Sequence, residues 1–308
     1  GNQFLDDARQ ADMLIHVVDI SGSTDLQGQH VNVGSHDPRE DIKFVEEEFD
    51  YWFKQILERE WQKLSKEIEK KSTKLADGIT DRFSGLGVKV HEVHEILQSL
   101  GLLTKKPTEW NDSDITKFAQ MLRKKIKPML IAANKADLCK DLKIANEIHR
   151  TREIVNCSAE TELLLKKAAK ANLIDYIPGN EKFVINKNVD ISPQQKEALN
   201  LVENVLLKLN STGIQTALNS AVFRVLKLIV VFPVEDETKL SNKNGEVLPD
   251  AKLLSENATA KNLAETIHQD IAKGFLFAID AKTKQRIGAD HQLKNGDVIK
   301  IVSSLSRG

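Results

Sequence analysis

Three short apolar runs, separated by long stretches with helical spacing, dominate the pattern of this 308-residue chain. They cover residues 13–19, 127–133 and 153–157. A near-continuous apolar run bounded by turn residues is typical of a parallel strand that is buried on both faces. Because amphipathic segments lie between the runs, the pattern predicts a doubly wound α/β sheet.

A helical excursion of unusual length, about residues 38–127, separates the first two predicted strands. Its opening predicts one amphipathic helix over about residues 38–71, with Asp37 as N-cap and Pro38 in the first turn. The apolar stripe of this helix consists of Ile42, Val45, Phe49, Trp52 and Ile56, and a neighbouring stripe continues with Leu57, Trp61, Leu64 and Ile68. We interpret Trp52 and Trp61 as packing anchors.

Two further helices are predicted in this excursion, around residues 90–100 and 113–126, the second capped by Asn111 or Ser113. A right-handed crossover between parallel strands needs only one helix. The excess therefore predicts an inserted helical subdomain at residues 38–127, built as a hairpin of antiparallel helices.

The spacing of apolar residues changes from helical to strand-like towards the end of the chain. Helices are predicted at about residues 161–171, 193–209 and 212–228, and strands at 228–232, 275–279 and 298–302. A short strand or turn at 247–249 and a helix at 262–270 lie between those strands. A strand, a hairpin, a helix and returning strands within about 75 residues predict a small α+β module of the ubiquitin-like kind.

Composition narrows the class of protein without identifying it. With 41% hydrophobic and 29% charged residues the chain is globular, and its net charge of −1 provides no overall basic field for nucleic acid. The two cysteines, Cys139 and Cys157, make no disulfide framework. No apolar run approaches the ~20 residues of a membrane span, and no signal peptide is recognisable. We therefore expect a cytoplasmic protein without membrane contact.

The second predicted strand runs into Asn134-Lys135-Ala136-Asp137, whose side chains suit the recognition of guanine. The ring N1–H and the exocyclic amine of guanine are donors, and the Asp137 carboxylate can accept from both. Adenine would leave that carboxylate desolvated and unpaired. Asn134 would hold the loop and touch the N7/O6 side of the base, while the Lys135 stem would lie flat on the ring. An ordinary polar turn after a buried strand is the alternative interpretation.

A second loop, Cys157-Ser158-Ala159-Glu160, follows the third predicted strand, and its Ser158 lies 21 residues after Asp137. Small residues at a strand end let the backbone approach a base, so the Ser158 and Ala159 N–H groups can donate to guanine O6. Ser158 alone could equally be an ordinary N-cap of the next helix. Because open α/β sheets bind ligands at the carboxyl ends of their strands, the two loops together predict a guanine-nucleotide site.

Other residues that could bind a ligand or a metal have simpler structural interpretations. His91 and His94 lie beside acidic residues, but a third metal ligand is not in view and a solvated helix face is preferred, so no metal site is predicted. Asp19 would either face the nucleotide or form the turn before Ser21-Gly22-Ser23, and the pattern leaves both open. Basic clusters that could contact phosphate, or simply be solvated, are Lys105-Lys106, Arg123-Lys124-Lys125 with Lys127, and Lys282, Lys284 and Arg286.

Together with these two loops, several segments resemble the Obg-type GTPases, and specifically the Obg-like/YchF-type branch in its archaeal and eukaryotic form. The segments are Gly1-Asn2-Gln3-Phe4-Leu5-Asp6-Asp7, Gly34-Ser35-His36-Asp37-Pro38, Asp175-Tyr176-Ile177-Pro178-Gly179 and Ser211-Thr212-Gly213. Further segments resemble a TGS domain, namely Val231-Phe232-Pro233-Val234-Glu235, Ile267-His268-Gln269-Asp270 and Asn295-Gly296-Asp297-Val298-Ile299. The resemblance covers essentially the whole chain.

The resemblance implies both an architecture and a function. The architecture is a P-loop-GTPase-like sheet, incomplete at the N-terminus, in residues 1–37 and 128–225, with a helical insertion at 38–127 and a C-terminal TGS domain at 226–308. The implied ligands are GTP and GDP, with Mg2+ as a cofactor whose ligands are not in this chain. The implied partner is the ribosome or RNA, contacted through the TGS domain and the helical insertion.

The chain departs from the family in the phosphate-binding half of the site. It contains no Gly-x-x-x-x-Gly-Lys-[Ser/Thr], and the family's Asp-x-x-Gly and switch I threonine are absent too. All would lie upstream of Gly1, and we expect truncation or an unresolved N-terminus rather than natural loss. The intact enzyme would then hydrolyse GTP, whereas the chain as given would be inactive and contain no catalytic residue. Two alternatives stay open, an ATP-preferring relative and a non-enzymatic adaptor that binds ribosome or RNA.

Overall fold

The three predicted parallel strands form one sheet in the computed structural model, which describes residues 8, 10–59, 61–71 and 74–305. They are β1 (Leu14–Asp19), β2 (Met129–Asn134) and β3 (Ile154–Asn156), all parallel and ordered β1-β2-β3. The register pairs Asp19 with Asn134, and Ala133 with Asn156. The carboxyl ends of the three strands therefore meet at one edge of the sheet. Residues 1–7, which contribute to the family resemblance, lie outside the described ranges.

Burial differs between the two longer strands. In β2 the four residues Leu130–Ala133 are all buried, as the apolar run predicts. In β1, however, Ile15 and Val17 are 38% and 63% exposed, so the prediction of a strand buried on both faces is wrong for β1. Val18 alone is buried in β1, where it packs in a cluster with Ile42 from the first helix of the insertion. Within the described ranges, the face carrying Ile15 and Val17 has no comparable cover.

Besides two short 3-10 helices, the described part of residues 38–127 forms five α-helices. They are α1 (Pro38–Glu58), α2 (Trp61–Lys71), α3 (Leu75–Arg82), α4 (Val90–Ser99) and α5 (Asp112–Ile126). The predicted caps are present, because the Asp37 side chain accepts the Arg39 N–H and the Asn111 side chain accepts the Asp114 N–H. The subdomain therefore contains more helices than the simple helical hairpin expected from the sequence.

The single helix predicted over residues 38–71 is in fact two helices, α1 and α2. The apolar stripe shifts near the break, from the register of Ile56 to that of Leu57 and Trp61. After the break, Trp61 is 6% exposed and packs against Trp110, with their ring centroids 4.8 Å apart. Phe53 and Phe83 are stacked 6.0 Å apart in the same core. The aromatic residues therefore act as packing anchors, as predicted.

The chain between the insertion and residue 221 completes the first of two compact units, Gly1–Ala221 and Val222–Gly308. Its elements are α6 (Lys143–His149), α7 (Ala159–Lys170), β4 (Ile174–Asp175), β5 (Val184–Ile185), α8 (Pro193–Leu209) and α9 (Ile214–Asn219). The strands β4 and β5 pair with each other rather than with the main sheet. The helix predicted over 212–228 is shorter than expected, because π-helical turns replace it at Ser220–Val225.

The second unit has a mixed five-stranded sheet. It contains β6 (Leu228–Pro233), β7 (Lys252–Ser255), α10 (Ala260–Ile267), α11 (Gln269–Lys273), β8 (Phe275–Asp280), β9 (Arg286–Ile287) and β10 (Asp297–Ser303). The strand order is β7-β6-β10-β8-β9, with β6 and β10 parallel. Leu263 of α10 and Val231 and Ile299 of the central strands are fully buried in its core. β7 was not predicted, and residue 247 makes only an isolated bridge with Ser241.

Candidate nucleotide-binding site

The Asn134-Lys135-Ala136-Asp137 loop begins at the last residue of β2. Lys135 has a φ of 60°, a left-handed conformation that turns the chain sharply at the strand end. The Ala136 N–H donates to the Cys157 carbonyl over 3.0 Å, and the Cys157 N–H donates to the Ala133 carbonyl over 2.8 Å. The two loops predicted to contact a base are therefore adjacent and are joined through their backbones.

A side-chain bridge also joins the two loops. The Ala159 N–H, at the start of α7, donates to Oδ1 of Asn134 over 3.0 Å. The Ser158 N–H donates to the Thr212 carbonyl over 2.8 Å, and Ser158 is fully buried. The structure thus gives both N–H groups an acceptor within the protein. Ala159 could present its N–H to guanine O6 only after Asn134 releases it, whereas Ser158 supports the loop from behind.

The Asp137 carboxylate has a different environment. It is half-buried, and within the described ranges it makes no hydrogen bond or ion pair. Its backbone carbonyl, by contrast, accepts a hydrogen bond from Nζ of Lys208 over 3.1 Å. The backbone of Asp137 is therefore held in place while its carboxylate oxygens keep their capacity to accept donors from a ligand.

Lys208, in the last turn of α8, supports the first loop from outside. Its Nζ donates to the Ala136 carbonyl over 3.2 Å and also to the carbonyls of Asp137 and Cys139. All three ammonium donors are thus directed at the loop backbone. Local sequence does not indicate this role, because a lysine near a helix C-terminus is ordinary and the partners of Lys208 are about 70 residues away in the chain.

The Lys135 ammonium contacts the end of β1. Nζ of Lys135 lies 2.8 Å from Oδ2 of Asp19, 2.9 Å from Oγ1 of Thr24 and 3.2 Å from Oγ of Ser23. Burial alone would raise the pKa of Asp19, but hydrogen bonds from Lys135 and from nearby serine and threonine groups outweigh it and hold that pKa well below its ordinary value. Asp19 therefore remains a carboxylate under physiological conditions.

A buried polar network supports the second loop. Glu162, which is 5% exposed, accepts hydrogen bonds through Oε2 from Thr212 over 2.6 Å and from Tyr176 over 2.8 Å. Burial and the bond to Glu162 raise the pKa of Tyr176. The segments 175–179 and 211–213, which the sequence analysis singled out only by resemblance, therefore meet at this carboxylate. Their role in the structure is to hold the backbone behind Ser158.

Gly213 has a specific steric reason to be glycine. Its φ is +78°, and an added Cβ would lie 1.9 Å from the Asn156 carbonyl oxygen. The backbone of residues 212–213 can approach the end of β3 only because that atom is missing. This close approach brings the Thr212 carbonyl within reach of the Ser158 N–H.

The two cysteines lie near the loops but are not paired with each other. Cys157 is fully buried, and burial raises the pKa of its thiol to about 12. Cys139 is half-buried, and burial raises the pKa of its thiol as well. Both groups are therefore neutral thiols at physiological pH.

The cavity nearest to the two loops is distinct from the base site. A cavity of about 370 Å³ beside β1 is lined by Asn134 and Lys135, but its lining does not include Asp137, Ser158 or Ala159. It is therefore not the proposed base pocket. Within the described ranges no three His, Cys, Asp or Glu side chains are grouped to hold a metal. Nor does any helix in those ranges have the length and apolar character to cross a membrane.

Comparison with known proteins identifies the family. A family model for the G4 motif-containing domain of YGR210-like Obg-like GTPases matches residues 132–236, and a TGS domain model matches residues 245–303. An uncharacterized GTP-binding protein of Methanocaldococcus jannaschii is 39% identical over 307 residues, covering 99% of this chain and 76% of that protein. An uncharacterized GTP-binding protein of Schizosaccharomyces pombe is 31% identical over 280 residues, covering 87% and 67% respectively.

Solved structures agree with these relatives. A GTP-binding protein from Pyrococcus horikoshii superposes with a TM-score of 0.79 at 42% identity, covering 97% of this chain and 81% of that one. The YchF GTPase of Schizosaccharomyces pombe superposes with a TM-score of 0.53 at 15% identity, over 98% of this chain and 75% of that one, which shows the likeness of fold alone.

The site and fold thus belong to the GTPase class, with a parallel α/β sheet and a C-terminal TGS domain. The chain is a member of the Obg-like, YchF-type family of GTP-binding proteins. The family and the fold class predicted from the sequence are confirmed.

Proposed function

We propose that this chain recognises the base of GTP and GDP through the two loops at the carboxyl edge of its parallel sheet. The residues that form the base site would be Asn134, Lys135, Asp137, Ser158 and Ala159, with Ser158 supporting the loop from behind. The observation that carries the proposal is the bridge from the Ala159 N–H to Asn134 Oδ1, beside an Asp137 carboxylate that has no hydrogen-bond partner within the described ranges. Two walls of a base site are thus joined, and its acceptor is available.

The role of each residue follows from the hydrogen bonds that it can donate or accept. Asp137 would accept the N1–H and the exocyclic amine of guanine, Ala159 would donate to O6, and the Lys135 stem would cover one face of the ring. Ser158 would contribute by fixing the backbone at Ala159. An adenine base offers no N1–H to Asp137, which favours GTP over the alternative of an ATP-preferring protein.

Hydrolysis is proposed for the intact protein rather than for these residues by themselves. The family membership supports cleavage of GTP to GDP and phosphate, with Mg2+ held beside the phosphates. The 308 residues contain no phosphate-binding Gly-x-x-x-x-Gly-Lys motif. We therefore propose that this chain selects the base and does not turn GTP over.

The domain division proposed from the sequence, residues 1–37 with 128–225, 38–127 and 226–308, has support from the packing. The aromatic core of the insertion draws its buried members from Phe53 to Leu122. The two compact units meet at residue 221, and the TGS match begins at residue 245. We propose that the insertion and the TGS domain contact ribosome or RNA in a cytoplasmic protein.

The alternative, a non-enzymatic adaptor for ribosome or RNA, loses part of its electrostatic support in the structure. Arg123 is 3% exposed and donates from Nε to Asp50 over 2.7 Å, and Lys127 is also 3% exposed. Two members of the Arg123–Lys127 cluster are therefore buried, and only Lys124 and Lys125 remain exposed for contact with phosphate. Sedimentation with ribosomes at several salt concentrations tests the alternative, which predicts binding that is independent of nucleotide.

The base assignment is tested by calorimetric titration of the 308-residue chain with GDP, ADP and XDP. We expect GDP to bind at least about tenfold more tightly than ADP. Replacing Asp137 by Asn should lower the affinity for GDP and allow XDP to bind, because the C2 oxygen of xanthine suits an amide donor. Asp141→Asn, at an exposed position four residues after Asp137, is the matched control and should change the affinity for neither GDP nor XDP. A chain that binds no guanine nucleotide, or an Asp137→Asn chain that keeps its GDP preference, contradicts the assignment.

A further inference from the structure

The Asp19 carboxylate uses its two oxygens for different tasks. Oδ1 accepts the Ser21 N–H over 3.0 Å and the Ser21 hydroxyl over 2.5 Å, which closes the turn after β1. Oδ2 accepts from Ser23, from Thr24 and from the Lys135 ammonium over 2.7, 2.8 and 2.8 Å. The sequence left a turn-forming role and a nucleotide-facing role as alternatives. The geometry combines a turn with a contact to the loop that follows the neighbouring strand.

The Lys135 ammonium is fully satisfied by this contact. An ammonium group has three donors, and those of Lys135 point at Asp19, Ser23 and Thr24. Because Lys135 starts from the end of β2 and its ammonium ends beside the end of β1, the aliphatic stem spans the gap between the two strands. The Lys135 side chain is 32% exposed and that of Asp19 is 11% exposed, so the contact is shielded while part of the stem remains accessible.

We propose that Asp19 is a positioning residue of the guanine pocket, which fixes the Lys135 ammonium so that its stem forms one preformed wall against the base. This inference rests on the proposed function. A free lysine side chain loses rotamer freedom when a ligand packs on it, and a side chain already held in place loses less. Asp19 therefore acts on affinity through Lys135 and does not itself touch the nucleotide.

The test combines Asp19→Asn, Lys135→Met and the double variant, with Asp25→Asn as the matched control. Methionine keeps an unbranched stem but has no ammonium for Asp19 to hold. Asp25 accepts the Gln27 and Gln29 N–H groups in the same turn region, whereas the Lys135 ammonium is bonded to Asp19, Ser23 and Thr24. Its replacement therefore loosens a neighbouring turn without removing the anchor.

Two measurements are made on each variant. Hydrogen exchange at the Ala136 and Leu138 amides reports opening of the loop, since these amides donate to the Cys157 and Lys135 carbonyls. Calorimetry gives the affinity for GDP and for IDP, which lacks the exocyclic amine. We expect Asp19→Asn to speed exchange at both amides. It should also lower the affinities for GDP and for IDP by the same factor, roughly three- to tenfold. Asp25→Asn should leave exchange and affinity unchanged.

The double variant separates positioning from a merely structural role. If Asp19 acts through the ammonium, Asp19→Asn should have no further effect on affinity in the Lys135→Met background. An equal loss in both backgrounds, or unchanged exchange and affinity in the single variant, would overturn the inference. Failure of the proposed function has a different signature, because the unmodified chain would then bind no guanine nucleotide while the exchange result still reported on the anchor.

Discussion

The two loops of the proposed base site are held by different kinds of contact. The first, at Asn134–Asp137, is fixed by two ammonium groups near the surface, Lys208 on its backbone carbonyls and Lys135 on Asp19. The second, at Ser158 and Ala159, is fixed from the interior by Thr212, which is fully buried, and by Glu162. The first wall of the site is therefore partly accessible to solvent and salt, mainly at Lys208, and the second wall is part of the core.

This difference separates what each loop can contribute. Contacts of exposed ammonium groups are weakened by salt and add little to stability. A buried carboxylate with hydrogen-bonded partners is costly to disturb, because a lost partner leaves a desolvated group behind. We therefore expect changes behind the second loop to destabilise the whole unit, and changes around the first loop to alter nucleotide binding with little loss of stability.

The largest effect is expected for Gly213→Ala. The new Cβ would meet the Asn156 carbonyl oxygen at 1.9 Å, and φ is +78°. Backbone strain and the clash together should lower the free energy of unfolding by about 2–4 kcal/mol. Urea denaturation measures the change. Gly28→Ala is the control, since its φ is +77° with nothing within 4 Å, and it should lose only about 1 kcal/mol. Equal losses of unfolding free energy in the two variants would show that the close approach to Asn156 does not contribute to the cost of the substitution.

A smaller loss is expected for Thr212→Val. Valine fits a similar volume but cannot donate to Glu162, whose buried carboxylate would keep Tyr176 as a close partner. The free energy of unfolding should fall by about 1–3 kcal/mol. Thr216→Val, at an exposed position of α9, provides the comparison and should change stability by less than about 0.5 kcal/mol. If the two variants are equally stable, the buried network does not support the second loop in the way argued here.

The smallest effect on stability is expected for Lys208→Met, although it should alter binding. Removing the ammonium frees the carbonyls of Ala136, Asp137 and Cys139, and we expect GDP affinity to fall roughly two- to fivefold at low salt. The gap between variant and unmodified chain should narrow as salt is raised, because salt already screens the contact. Lys196→Met on the exposed part of α8 serves as control. A salt-independent loss would indicate packing of the Lys208 stem instead.

Much of the site could be predicted from local sequence, and its supports could not. Residue types and spacing alone are enough to predict a base contact for Asn134, Lys135 and Asp137. Lys208 gave no such signal, because a lysine in a last helical turn is common and its acceptors are backbone carbonyls. Asp19 was ambiguous for the same reason, since its lysine partner is 116 residues away in the chain.

The fold shows the same limit in its boundaries. Residues 193–209 were predicted as a helix with the observed ends, because Ser192 and Pro193 mark its start and apolar spacing continues to its end. The break between α1 and α2 was missed, because the helical spacing of apolar residues continues across it. Likewise, the charge of Arg123 predicted a surface position, and its ion pair with Asp50 places it inside.

The class of this protein follows from local sequence, because periodicity specifies which segments are strands or helices and a short polar loop at a strand end specifies the chemistry of a base contact. Which distant residues support that loop depends on how the chain folds in space. Hydrogen bonds from Lys135 to Asp19 and from Ser158 to Thr212 depend on the register of parallel strands and on a glycine that permits close approach. Such contacts arise from distances in space, which residue types and spacing along the chain do not encode locally.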